Sequence, residues 1–334
     1  MESPIRIGIT MGDPSGIGAE IIAKSVSNPE INKLGEIFII GDKWVLNKVK
    51  SQKLKVKSEK SKVKILDLDN VSHKNFAFGR IKAEYGKASV EYLNKAVELV
   101  KNKEIDCLVT APISKKAINL AGYKYNGHTE FLARAFGKRE KEIVMLLLNK
   151  YIRIGLVTRH LALKRAISVL KQESIFNTIT ITYKALKEYF AIGRPNICVA
   201  ALNPHAGEGG LLGREEIEQI APAVKRFRRG IKGIFGPLPA DSAFSAAKHG
   251  QVDAVIAMYH DQALIPLKVT DPDSGVNLTL GLDIVRTSPL HGTGFDIAGR
   301  NMASNSSLIS AIKTAVGCSI NFRKIKGICP RMGK

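Results

Sequence analysis

Residues 86–112, GKASVEYLNKAVELVKNKEIDCLVTAP, join two periodicities in one short stretch. Val90, Leu93, Val97 and Val100 recur at the spacing of one helix face, and DCLVTAP (106–112) then runs apolar over the length of a strand. Similar strand-like runs recur along the chain: IRIGIT (5–10), EIFIIGD (36–42), EIVMLLLN (142–149), YIRIGLVT (151–158), NICVAAL (196–202) and DAVIAMY (253–259). Amphipathic stretches lie between several of them, and this alternation predicts βαβ units and a mainly parallel sheet, an α/β fold. The pair EIVMLLLN and YIRIGLVT, separated only by Lys150, predicts a hairpin within it.

A chain of 334 residues can bury a large core and suits two domains or one large α/β unit. Apolar residues at 45% and charged residues at 24% match globular usage, which excludes disordered and fibrous classes. No repeat of solenoid length is present. Cys107, Cys198, Cys318 and Cys329 lie far apart without a C-x-x-C pair, as buried thiols of a reducing compartment do. The opening MESPIRIGIT has too short an apolar run for a secretory segment, and no stretch has the roughly 18 uninterrupted apolar residues of a membrane span. A cytoplasmic protein without membrane contact is expected.

The net charge of +21 points to anionic partners. Much of it is concentrated in KVKSQKLKVKSEKSKVKILDLD (48–69), which lacks the interleaved aromatics and arginines of a nucleic-acid surface. That stretch reads as a solvated loop or a lysine-protected edge strand, and the basic tail NFRKIKGICPRMGK (321–334) reads as a mobile chain end, so nucleic acid is not the expected partner. The glycines of ITMGDPSGIGAE (9–20), at 12, 16 and 18, have neither the G-x-G-x-x-G spacing of a Rossmann turn nor the Lys-Ser/Thr pair of a P-loop. Taken alone, that stretch fixes no chemistry.

Three histidines share one context. His160 follows YIRIGLVTR, His205 follows NICVAALNP and His260 follows DAVIAMY, each just past an apolar strand. In open α/β folds the carboxyl ends of parallel strands form the ligand-binding rim, so residues distant in sequence meet there. Three neutral imidazoles leave a divalent metal an open position, as a catalytic site requires; the same residues also suit hydrogen-bonded rim positions. Asp261 is placed to orient an imidazole or to stand as a surface acid. In NGHTEFLARAF (126–136), His128 and Thr129 precede an amphipathic helix that Thr129 can cap, where free N–H groups favour an anion. Lys268, Asn277 and Arg286, spread through LKVTDPDSGVNLTLGLDIVRTS (267–288), offer two cations and an amide to a phosphate or carboxylate. Crossings between domains are expected near AGYKYNGHT (121–129) and LIPLKVTDPDSG (264–275).

Together ITMGDPSGIGAE, VTAPISK, GHTEFLA, LNPHAGEGG, GPLPADS, AMYHDQ, VNLTLGL and RTSPLHGTGFDIAGR resemble, in order and over nearly the whole chain, the 4-hydroxythreonine-4-phosphate dehydrogenase family of vitamin B6 biosynthesis. HGTGFDIAGRNMASN (291–305) is also similar to the cofactor loop of isocitrate and isopropylmalate dehydrogenases. The resemblance implies two α/β/α domains around a central cleft: residues 1–125 with 266–334 on the cofactor side, and residues 126–265 for metal, substrate and dimerisation. It carries the metal ligands onto His160, His205 and His260, and the substrate contacts onto His128, Thr129, Lys268, Asn277 and Arg286. The cofactor contacts fall on Gly12, His291, Gly292, Asp296, Ile297 and Asn305, and the catalytic roles on Lys268 and Asp241, the latter a candidate proton acceptor alongside a metal-bound or relayed water.

The activity implied is NAD- or NADP-dependent oxidation of 4-phosphohydroxy-L-threonine to a 3-oxo acid that decarboxylates to 3-amino-2-oxopropyl phosphate. A homodimer with its active site at the interface and one divalent ion per site are implied with it; imidazole donors favour zinc, with magnesium, manganese and cobalt open. Ser15, Ala19, Arg159 and Ala162 depart from the usual motifs. Paralogues oxidising D-threonate or D-erythronate 4-phosphate are therefore an alternative, and a metal-dependent phosphate-ester hydrolase is a more distant one.

Overall fold

The fold comes from a computed structural model, which describes residues 3–49, 62–125 and 127–327. Residues 50–61 and 328–334 are outside the described residues, and so are most of the expectations placed on the lysine-rich stretch, the end of the basic tail and Cys329. The chain divides into two compact units, 1–137 with 282–334, and 138–281.

The first unit begins with β1 (Ile5–Thr10), α1 (Gly18–Val26), α2 (Pro29–Lys33), β2 (Gly35–Gly41), α3 (Lys43–Lys48) and β3 (Val63–Asp67). It continues through α4 (Ala83–Lys101), β4 (Cys107–Thr110), α5 (Lys115–Leu120) and α6 (His128–Ala135). The second unit holds β5 (Val144–Leu148), β6 (Arg153–Leu156), α7 (Leu163–Ser168), α8 (Gln172–Glu188), β7 (Ile197–Ala200), α9 (Ala221–Arg228) and β8 (Ile234–Leu238). It ends with α10 (Ala240–Lys248), β9 (Ala254–Ala257), α11 (His260–Thr270) and β10 (Val276–Leu280), after which β11 (Val285–Pro289) and α12 (Ser306–Lys326) complete the first unit.

In the first unit the strands lie in the order β3-β2-β1-β4-β11, and every neighbouring pair is parallel. Ile7, Ile9, Ile37, Ile39, Leu108 and Val109 are wholly buried, as expected of strands covered on both faces. Helix α4 buries Val90, Leu93 and Val97 together with Tyr85 and Tyr92, while Val100 at its end is half-buried. The lysine-bearing strand β3 stands at the end of this order, the edge position that its composition left open beside a solvated loop.

In the second unit the order is β10-β5-β6-β9-β7-β8. β5 and β6 form the expected antiparallel hairpin, with Leu146 opposite Gly155, and β10 pairs antiparallel with β5. The other pairs, β6 with β9, β9 with β7 and β7 with β8, are parallel. The core is filled by Ile175, Ile179 and Leu186 of α8, Val224 and Phe227 of α9, and Ile197, Val199 and Ile256 of the sheet.

The units part at 137/138 and 281/282, later in the chain than the crossings expected at 125/126 and 265/266. Two packing facts move the boundaries: α6 belongs with the first unit, and β10 is hydrogen-bonded along its length to β5. Cys107, Cys198 and Cys318 are buried and form no disulfide among the described residues. Among the described residues no helix is long and apolar enough to cross a membrane.

Gly12 closes the turn after β1 with φ +74°, in the left-handed region, and a Cβ there would stand 2.7 Å from the Ala111 carbonyl oxygen. Asp13 N–H donates to the Pro112 carbonyl at 2.9 Å, so the turn is pressed onto the end of β4. Gly12→Ala adds both the left-handed strain and the clash; a loss of about 2 kcal/mol or more is expected in urea unfolding, and unchanged stability would refute this packing.

Candidate functional site

Two groups of candidate residues are assembled, one in each unit. In the first, the parallel pairing of β4 with β11 sets Arg286, the second residue of β11, opposite Leu108, and its guanidinium donates from Nη2 to Thr110 Oγ1 at the carboxyl end of β4. Arg286 is 1% exposed, and burial pushes its pKa down to about 9. Its charge is held against a desolvation penalty that a bound anion would offset. His128 opens α6 and interacts electrostatically with Arg286; burial, and then that neighbouring charge, push its pKa well below the usual value, so the ring is neutral. A hydrogen bond to the Ala111 backbone favours protonation of the ring but does not offset them.

With one ring nitrogen donating to Ala111, the neutral tautomer presents the other, Nε2, as an acceptor, and Nε2 is buried with no hydrogen-bond partner among the described residues. An acceptor suits a substrate hydroxyl or amine. Thr129, expected to cap α6, lies instead inside its first turn: Gly127 takes the cap position with φ 152°, and no side chain caps the helix.

In the second unit the three histidines leave the carboxyl ends of three adjacent strands in the order β6-β9-β7. The β6–β9 ladder runs on past the strands: Val157 N–H donates to Ala257 at 2.9 Å, and Thr158 Oγ1 donates to the Met258 carbonyl at 2.7 Å. This brings the His160 and His260 rings to 5.1 Å between centroids. His260 Nδ1 lies 2.6 Å from Asp261 Oδ1, so its Nε2 is the nitrogen left for a ligand.

His205 does not join them in a three-ligand set. Among the described residues no three His, Cys, Asp or Glu side chains are grouped to hold a metal ion. Residues 205–209 all have positive φ, from 44° at Glu208 to 79° at Gly207, and this left-handed turn leaves His205 exposed. Imidazole donors at adjacent strand ends fit a divalent ion chemically, and two of the three converge within the chain.

Sequence reasoning missed the residues that hold these strand ends. Gln262, 7% exposed, accepts Met258 N–H at 2.7 Å and donates to the Ala201 carbonyl at 2.6 Å, which ties the end of β9 to that of β7. Glu216 accepts the N–H groups of Leu202 and Asn203, each at 2.8 Å, and Asn203 Nδ2 at 2.9 Å, bracing the entrance to the His205 turn. A buried glutamine or glutamate far along the chain carries no local signature of such a role.

The remaining candidates are more scattered. Lys268 is exposed in the last turn of α11, and Asn277 on β10 keeps Oδ1 buried with no partner among the described residues. Asp241 is exposed in the first turn of α10. In the 291–305 loop, Asp296 is exposed, Ile297 is half-buried, Gly292 has open space where a Cβ would stand, and His291 Nδ1 lies 3.2 Å from the Gly292 carbonyl. An exposed carboxylate, an apolar side chain and open backbone suit a ribose and a planar ring. Asn305 directs its amide to Ser25 Oγ at 3.4 Å. Gly12 is buried against Ala111 and Pro112, where the lack of a Cβ serves the packing.

Beside that glycine, Asp13 accepts Ser15 N–H and Ser15 Oγ through Oδ1, each at 3.0 Å, while Oδ2 is buried with no partner among the described residues. Burial pushes its pKa up to about 6, against the hydrogen bonds from Ser15. A carboxyl raised in this way favours the fold fully below its unfolded pKa near 4, and that contribution is lost as pH rises through about 6. His128 works oppositely: its lowered pKa makes stability fall as pH drops below about 6.5. Asp13→Asn is therefore expected to gain stability at pH 8, on the order of 3 kcal/mol at most, and to lose that advantage by pH 4. Denaturant midpoints at the two pH values test this, and equal effects at both would refute it.

Residues 24–315 match the family described as Pyridoxal phosphate biosynthetic protein PdxA. A 4-hydroxythreonine-4-phosphate dehydrogenase of Sulfurihydrogenibium sp. is 41% identical over 319 residues, 93% of this chain and 98% of that one. A Fusobacterium nucleatum relative, named as a proposed D-threonate 4-phosphate dehydrogenase, is 37% identical over 96% of this chain and 99% of its own. The crystal structure of the Klebsiella pneumoniae 4-hydroxythreonine-4-phosphate dehydrogenase superposes with a TM-score of 0.84 at 33% identity, covering 96% of this chain and 98% of that one. Isocitrate dehydrogenase from Methylococcus capsulatus, at 11% identity and a TM-score of 0.50 over 97% of this chain and 89% of its own, shares the fold alone. With identity sustained over nearly the full length and the motif residues in place, the chain belongs to the PdxA family of pyridoxal phosphate biosynthetic proteins.

Proposed function

We propose that this chain is a 4-hydroxythreonine-4-phosphate dehydrogenase that uses NAD or NADP and one divalent ion, zinc by its imidazole donors, on a phosphorylated four-carbon hydroxy acid. The observation that carries the reading is the set of three histidines, 160, 260 and 205, at the carboxyl ends of three adjacent parallel strands. When bound there, a divalent ion lowers the pKa of a coordinated hydroxyl and stabilises charge on its oxygen, and the nicotinamide accepts hydride.

The chain's own residues supply the rest. Arg286 binds an anionic group of the substrate, with Thr110 fixing the plane of its guanidinium. His128 accepts a substrate hydroxyl or amine proton at Nε2 and thereby orients the four-carbon chain. Thr129 and Asn277 add polar contacts, and Lys268 balances the second anionic charge. Asp241, at the start of α10, is the candidate acceptor for the hydroxyl proton. Asp296 and Ile297, with the backbone at His291 and Gly292 and the amide of Asn305, hold the dinucleotide.

A homodimer completes the metal set in this reading. Exposed apolar side chains accompany each histidine: Leu161 and Leu163 after His160, Leu211 and Leu212 after His205, and Ile265 after His260. A surface of this kind is suited to burial by a second copy. D-threonate 4-phosphate is the second substrate reading, favoured by the name of the Fusobacterium nucleatum relative.

The test is to supply 4-phosphohydroxy-L-threonine, D-threonate 4-phosphate and D-erythronate 4-phosphate separately with each dinucleotide, following reduced nicotinamide and inorganic phosphate together. Reduction without phosphate release is expected, and phosphate release without reduction would instead mark a hydrolase. His205→Ala is expected to lower kcat by at least about 100-fold and to weaken metal retention; full turnover would sink the metal assignment. For Arg286→Met the expectation is a 10- to 100-fold rise, roughly, in substrate KM with dinucleotide KM unchanged.

A further inference from the structure

The turn at 13–17 and helix α1 make a group of contacts that neither the anion set nor the histidines use. Glu20, 1% exposed, accepts Ala303 N–H at 2.8 Å through Oε1, and the same oxygen takes the Lys24 ammonium at 2.9 Å. Lys24 Nζ donates further to the carbonyls of Asn301, at 3.1 Å, and Ala303, at 2.7 Å, so all three of its N–H donors are engaged. Four residues apart on one helix, the two side chains share a face and grip residues 301–303 from both backbone polarities. Asn301 is held in the left-handed region with φ 60°, a conformation that the grip supports.

The same motif holds the loop upstream. Ile17 N–H donates to the Thr293 carbonyl at 2.9 Å. The Ser15 carbonyl accepts Gly79 N–H at 2.8 Å, and the adjacent Phe78 ring lies so close to Gly299 that a Cβ there would overlap it. Residues 293–303 are thus fastened at both ends and in the middle by 15–24 and 78–79.

We propose that Glu20 and Lys24 are positioning residues for the 291–305 loop and that this pair sets the affinity of the chain for its dinucleotide by ordering the loop before binding. The inference rests on the reading of that loop as the dinucleotide site. A preordered loop avoids the ordering entropy that binding otherwise costs, so loss of the pair acts on dinucleotide binding and leaves the chemical step alone.

The experiment compares the full-length chain with Lys24→Met and with the double variant Glu20→Gln/Lys24→Met. The double variant leaves no unpaired buried carboxylate and so serves where the single one folds poorly. Hydrogen exchange, equilibrium binding of NAD and of NADP, binding of 4-phosphohydroxy-L-threonine, and steady-state kinetics are measured on each.

Faster exchange confined to 293–303, an increase of about tenfold in dinucleotide Kd and KM, unchanged substrate binding and a kcat within about twofold at saturation are expected. Unchanged dinucleotide affinity despite faster exchange in the loop overturns the inference alone. Equal weakening of both ligands with faster exchange throughout also overturns it, since that marks a merely structural pair. If the unsubstituted chain binds neither dinucleotide, the reading of the loop falls and takes the inference with it.

Discussion

Hydrogen bonding between β6, β9 and β7 forces three carboxyl ends toward one edge of the second unit, and every proposed metal ligand hangs from that edge. A parallel ladder has no freedom to reverse one strand without breaking its bonds, so the direction of His160, His205 and His260 is set before any side chain is placed. Finer placement comes from polar ties beyond the ladder. Thr158 carries the β6 ladder onward to Met258, and Gln262 joins the end of β9 to Ala201 after β7. Buried side-chain hydrogen bonds of this kind are costly to break, because each leaves an unsatisfied group behind.

The two units handle charge differently. In the first, Arg286 is buried and His128 is half-buried beside it, and desolvation lowers both of their pKa values. A bound anion would offset part of the cost of that desolvation. In the second, the histidines at the strand ends lie at or near the surface, and the strain resides in the backbone. Non-glycine residues His205, Ala206 and Glu208 all stand in the left-handed region. Glu216 and Asn203 hold the entrance to that turn by accepting and donating around it. Strain of this kind persists where surrounding structure over-determines it, and such places are often functional.

The glycine-rich stretch after β1 has the spacing of neither a Rossmann turn nor a P-loop. Gly12 is buried on the end of β4, Asp13 folds back onto Ser15, and the following helix presents Glu20 and Lys24 to residues 301–303. Its chemistry is that of a brace between the first strand's exit and the loop that follows the last strand. Spacing alone does not distinguish a brace from a binding turn, since both need glycines where backbone meets backbone.

Local periodicity determined the alternation of strands and helices and the β5–β6 hairpin, because each depends on neighbours within a few residues, whereas the lysine-rich composition around β3 left a solvated loop and an edge strand both open. The motif order, carried by residues such as His128, Arg286 and the three strand-end histidines, determined the family for the same reason: side-chain identity is written in the chain. Unit boundaries were displaced because α6 and β10 choose partners by long-range packing, which no local pattern records. Thr129 reads as a helix cap and lies within the helix, since Gly127 alone accepts the backbone angle the turn imposes. Gln262, Glu216 and the pair Glu20 and Lys24 acquired their roles only in the folded chain. Their partners lie in other segments, and hydrogen bonding and desolvation depend on distance in space, which sequence spacing does not supply.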